Sequence, residues 1–104
     1  MVQAVENLTA LVVRVFGVSG HPSLADWDQW DVEILSATPV EGLADLLSQR
    51  VGERLPMAVR RELAPDVAPG SVVSCRAKLN YGEVMAEPHP DPADFSVQPP
   101  ERSG

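Results

Sequence analysis

Apolar positions along this chain follow two periods. The longer one occupies residues 38–63, where Leu43, Leu46, Leu47, Val51, Leu55, Ala58, Val59 and Leu63 recur at three- and four-residue spacing. At 3.6 residues per turn these side chains share one helical face. The start of the segment agrees: Thr38 suits an N-cap, Pro39 the first helical position, and Glu41 completes a capping box. Ala64, Pro65 and Ala68-Pro69-Gly70 end it. Two residues interrupt the pattern. Gly52 costs about 1 kcal/mol against alanine in a helix interior, and Pro56 lacks a donor and crowds the preceding turn. The pattern therefore predicts one long helix with a kink, or two helices meeting at residues 55–57.

A period of two appears elsewhere. In Ser71 to Leu79, Val73, Cys75, Ala77 and Leu79 take one side and Ser74, Arg76 and Lys78 the other, as in a sheet with one wet face. Asn80-Tyr81-Gly82 reads as a hairpin loop. Glu83 to Ala86 reads as the returning strand, halted by Pro88, Pro90 and Pro92. Leu8 to Phe16 is dense in valine and apolar on both alternation faces, which predicts an interior strand or the core strand of a curved sheet. Asp31 to Ala37 alternates as a half-exposed strand. Residues 17–30 between them, broken by Gly17 and Ser19-Gly20-His21-Pro22, read as a long irregular loop.

The order β-β-α-β-β predicts an α+β fold of two layers, with one long kinked helix packed on a small, mostly antiparallel sheet. The alternative is a small, partly open β-barrel carrying a helix. Residues 1–97 are expected to form one compact domain, opening on a loose lead-in over residues 1–7. Residues 98–104 are expected to be a disordered tail.

Composition narrows the function classes. The chain has 104 residues, a net charge of -7 and a single cysteine. That charge opposes non-specific binding to nucleic acid or anionic membrane, which depends on basic groups. One cysteine allows neither an internal disulfide nor a Cys-rich zinc site. No run is long and apolar enough to span a membrane, and the acidic opening MVQAVENL does not read as a signal peptide. A cytoplasmic protein without cofactor or metal is the expectation.

No catalytic residue is assigned. His21 with Asp26 or Asp28 would make an acid–base pair only if the fold joined them. Counted from Asp26, a calcium loop fails at its sixth position, Asp31, and its twelfth, Ala37. Five residues are candidates for ligand or partner binding. Trp27 and Trp30 are large aromatics in a loop, the residue type that anchors interfaces. Arg50 and Arg54 fall near the apolar line of the predicted helix and offer planar donor forks to carboxylate or phosphate. Tyr81 stands at a hairpin tip. The reading is a small non-catalytic protein-interaction or accessory module, with a homodimer formed through a strand edge or the arginine-bearing helix, or with a protein partner. The alternative is a small-molecule binder or small enzyme. Its pocket for an anionic ligand would lie between the 17–30 loop and the helix. Nucleic-acid binding through Arg76, Lys78 and Tyr81 ranks last.

Overall fold

The valine-dense stretch that opens the chain is the seam of a barrel. A computed structural model describes residues 6–101; residues 1–5 of the predicted lead-in and 102–104 of the predicted tail lie outside this range. Strand β1 (Thr9–Gly20) pairs antiparallel with β2 (Trp27–Pro39) along its whole length. Its first half also pairs antiparallel with β4 (Val72–Asn80). Strand β3 (Arg54–Arg60) lies antiparallel to β2 and parallel to β5 (Glu83–Ala86), and β5 forms a hairpin with β4. The circuit β1-β2-β3-β5-β4-β1 closes a five-stranded barrel. A short β6 (Ser96–Gln98) pairs with the start of β4. Bulges near Val12/Val13 and Val15/Gly17 let β1 bend far enough to serve two neighbours.

Leu11, Val13, Val15, Val32, Ile34, Met57, Val59, Val73 and Ala77 point inward and are buried. Closure with nearly all its sheet neighbours internal explains why β1 reads apolar in so dense a run.

The two-layer α+β arrangement and its kinked helix are corrected by this structure: the described residues contain no α-helix, only 3-10 turns at 48–50, 61–63 and 92–94. The barrel has no helix upon it either. Thr38 is no cap but a β2 residue opposite Ala10. Residues 40–53 are a connection, and residues 54–60 are a strand. The reason lies in Leu55-Pro56-Met57-Ala58-Val59. Leu55 and Val59 are four apart, which suits a helix, but Leu55, Met57 and Val59 are also two apart, and all three are interior. The two blemishes in the helical pattern mark the true structure. Gly52 takes φ +91 in the turn before β3, and its amide donates to Ile34 O at 2.8 Å. Pro56 stands just before Met57 and Ala58, where β3 meets β5, a place where a sheet tolerates a missing donor.

Side chains do the work that helical hydrogen bonds would have done for residues 40–53. Asp45 accepts from Thr9 Oγ1 at 2.8 Å and from the amides of Leu47 and Ser48. Hydrogen bonds from Ser48 and Thr9 hold its carboxyl below the ordinary carboxylate range. Asp31, bonded by Arg54, is lowered in the same sense. A pKa lower in the folded state adds stability above the unfolded value, about 3.9, and that stability is lost as pH falls through the folded value. We therefore expect the wild-type melting temperature to drop as the pH falls below about 4. The Asp45→Asn variant should show a flatter drop, and parallel pH profiles for the two proteins would refute the assignment.

No helix among the described residues is long and apolar enough to cross a membrane.

Candidate functional site

Beyond Val15, β1 leaves β4 and continues as a ribbon with β2, whose other edge at residues 27–33 still pairs with β3. Its outer side carries Trp27, Gln29, Asp31 and Glu33, alternating with inward Asp28, Trp30, Val32 and Ile34. The outer face of β3 is covered, and the β1–β2 turn is tied to β5. Two observations show this. Ala58 is outward by alternation with Met57 and Val59, yet it is 1% exposed. His21, at the end of β1, reaches Glu83 of β5 at 2.8 Å. The His21 imidazole is itself buried. Its Nδ1 accepts from the amides of Ser23 and Leu24, both at 3.1 Å. The ring proton is therefore on Nε2, which donates to the Glu83 carboxylate. One histidine thus shapes the β1–β2 turn and ties it to β5.

Across β1, β2 and β3 lies an open groove of about 550 Å³, bordered by Gly17–Ser19, Gln29, Asp31 and Arg54–Pro56. Arg54 grips Asp31 with two hydrogen bonds, Nε to Oδ1 at 3.0 Å and Nη2 to Oδ2 at 2.7 Å. Its guanidinium also lies 4.1 Å from the ring centre of Phe16. A second hollow beyond Pro56 is lined by Arg50, Gly82, Glu83 and Val84 and shares Leu55 and Pro56 with the first. The two form one continuous surface that ends at the β4–β5 hairpin.

Tyr81 stands at that hairpin's tip, 91% exposed. It has φ 51 and Gly82 has φ 83, with Asn80 and Glu83 paired on either side. Positive φ at both central residues is the type I′ turn, whose first position favours asparagine, aspartate or glycine. A tyrosine there carries strain of about 1–2 kcal/mol, and at such exposure no packing within the chain offsets it.

The five candidate residues do not converge. Trp30 is 1% exposed in the core, and Trp27 is half-buried on the outer face of the ribbon. Arg50 pairs with Glu53 and Arg54 with Asp31, so neither presents a free charge. The helical line that grouped them does not exist. Arg54 borders the larger groove, Arg50 the adjoining hollow, and Tyr81 the end of the surface. Phe16, Pro56 and the His21–Glu83 tie were not among the binding candidates read from sequence. The glycine at 17, read there as a break, marked the bulge beside the outward Phe16.

Cations are matched one by one. Arg14, Arg50, Arg54, Arg60, Arg61 and Arg76 each have a carboxylate partner, at separations up to 3.9 Å. Of the lysines and arginines among the described residues, only Lys78 is outside this set of pairs. An incoming phosphate or carboxylate would have to displace a resident carboxylate at each arginine. Cys75 is buried on β4, and burial pushes its thiol up to about 12, which keeps it from acting as a thiolate at neutral pH.

Fold and surface together define a small five-stranded β-barrel with an open groove on its outer face. No protein-family model, curated protein or solved structure matches the chain.

Proposed function

We propose that this chain is a polypeptide-binding module, and that its contact surface runs from the ribbon groove over Pro56 to Tyr81. The observation that carries this reading is Tyr81: a large aromatic held fully exposed in a backbone conformation it disfavours. Strain of that kind persists where a residue serves something outside the local structure. Tyrosine suits the task because it presents a rigid, amphipathic contact area. Architecture agrees, since small Greek-key barrels use the outer face of their second and third strands and the flanking loops for binding. Oligonucleotides are common ligands of that architecture, but the net charge of -7 and the pairing of the arginines favour a polypeptide here.

The test is a photo-reactive phenylalanine analogue placed at position 81 and, as a control, at Asp66, in the cell that makes the protein. Adducts to a polypeptide at 81 and none at 66 are expected. Equal labelling at both positions would overturn the reading. Tyr81→Asn separates binding from folding. It should gain about 1 kcal/mol of stability, because asparagine accepts the left-handed conformation, and should weaken capture by the surface. A loss of stability would show that the ring supports the fold.

A small-molecule reading has one observation in its favour. The groove lies between the 17–30 stretch and Arg54–Pro56, and its volume falls in the range of ligand sites. A retained adduct in native mass spectrometry, displaced on mutating Gln29, would support that alternative.

A further inference from the structure

We infer that a second copy of this chain pairs with the open edge of β1 at Val18 and Gly20. The inference deepens the polypeptide-binding reading and rests on it.

The direction of the edge groups follows from register. The amide of His21 donates to Trp27 O at 3.1 Å, so these two form a hydrogen-bonded pair of the β1–β2 ladder. Such pairs alternate in an antiparallel ladder. With Ser19 opposite Gln29 and Gly17 opposite Asp31, residues 17 and 19 face β2. Val18 and Gly20 then point their N–H and C=O groups the other way. On that side the last partners of β1 are Ser71 and Gly70, bonded to Val15. Among the described residues, β1 from Gly17 onward pairs with β2 alone.

Sheet edges are usually guarded by lysine, proline or an inward charge. Phe16-Gly17-Val18-Ser19-Gly20 has none of these; its one irregularity, the bulge, precedes the open stretch. The space around it is empty: a Cβ added at Gly17 or Gly20 would meet nothing within 4 Å. Val18 is 41% exposed.

A second copy fits because the edge complements itself. In an antiparallel pairing centred on Ser19, Val18 of one copy stands opposite Gly20 of the other. Both residues face the partner strand, and the two-fold repeats the pair. Gly20, with no side chain, leaves room for the opposing Val18. No charge stands on residues 16–20 to meet its like. The repulsion is only long-range, between two bodies of net charge -7. Its sign sets this partner apart: added salt screens the repulsion and tightens the dimer, whereas binding to a basic polypeptide or a nucleic acid weakens with salt.

Sedimentation of the full chain tests the inference, from about 50 mM to about 500 mM salt across the Debye range that matters. Wild type should move from the 11.2 kDa species to twice that mass as concentration rises, with the midpoint falling as salt increases. Val18→Pro removes a donor that β2 does not use, and should weaken the dimer by about tenfold or more, each tenfold being about 1.4 kcal/mol. Val18→Lys, a common edge guard, should do the same, and it decides the matter if the proline variant fails to fold. A monomer at every concentration and salt, or a dimer indifferent to both variants, overturns self-pairing. Polypeptide adducts at Tyr81 from a monomeric protein would refute this inference while upholding the broader reading. A salt-tightened dimer weakened by both Val18 variants, with no adducts at Tyr81, would uphold self-pairing and remove Tyr81 from the contact surface.

Discussion

Replacing Trp30 with alanine is expected to cost about 3–5 kcal/mol of unfolding free energy. The indole is 1% exposed and lies in the barrel lining. In the sheet, Trp30 stands between Val18 on β1 and Met57 on β3, beyond the point where β1 leaves β4. No neighbouring element is free to collapse into the void, because all its sheet neighbours are held by ladder hydrogen bonds. For a domain of this size, whose total stability is of order 5–15 kcal/mol, the loss is a large share of the whole. Each kcal/mol moves the melting temperature by about 4–8 °C. Urea unfolding followed by circular dichroism measures the change. Trp27→Ala is the internal control: its indole is half-buried on the opposite side of the same strand, and its loss should be clearly smaller. Equal losses would show that the two sides of β2 are packed alike, contrary to the structure.

Leu47→Ala carries the second large effect, about 2–5 kcal/mol. Leu47 is the sole fully buried side chain between Val40 and Gly52, and it belongs to the barrel core at 0% exposure. Its neighbours in the apparent helical stripe behave differently, with Leu46 42% and Val51 47% exposed. Leu46→Ala and Val51→Ala should each stay within about 0.5 kcal/mol of wild type, as surface changes usually do. A helix would have made all three comparably costly, since the stripe would be buried as a unit. The three variants, compared by chemical denaturation, thus distinguish a connection with one inserted leucine from a helix with an apolar face. Three similar losses would contradict the connection described above.

Where local pattern and local structure share one cause, the sequence was legible. Strand β4 and its hairpin partner could be read from Val73, Cys75 and Ala77 alternating with Ser74, Arg76 and Lys78, because a sheet with one wet face imposes that alternation wherever it lies. The hairpin tip was legible for the same reason: Gly82 permits the positive φ that a two-residue turn needs. The ribbon was not. Gly17 and Gly20 resemble loop residues, and only their pairing with Asp31 and Asp28 keeps them in β1. Of the candidate surface, Tyr81 was visible by position alone. Phe16 was hidden inside a strand reading, and Pro56 inside a helix reading.

The sequence by itself determined the barrel-lining alternation of β4, the β4–β5 turn, the single inert cysteine and the acidic charge. All of these follow from residue type or from neighbours a few positions away. Tertiary structure decided the rest. It decided whether Leu55 to Val59 became helix or strand, since spacing served both and only the hydrogen-bonding edge of β2, at residues 27–33, favoured the strand. It decided which arginines were neutralised, because Asp31 reaches Arg54 and Asp28 reaches Arg61 from distant positions in the chain. It also closed β4 onto β1, burying Val13 and leaving Val18 at an open edge. A period is a property of one segment, but a hydrogen-bond partner or a covering side chain is supplied by another, and their meeting is settled only when the whole barrel closes.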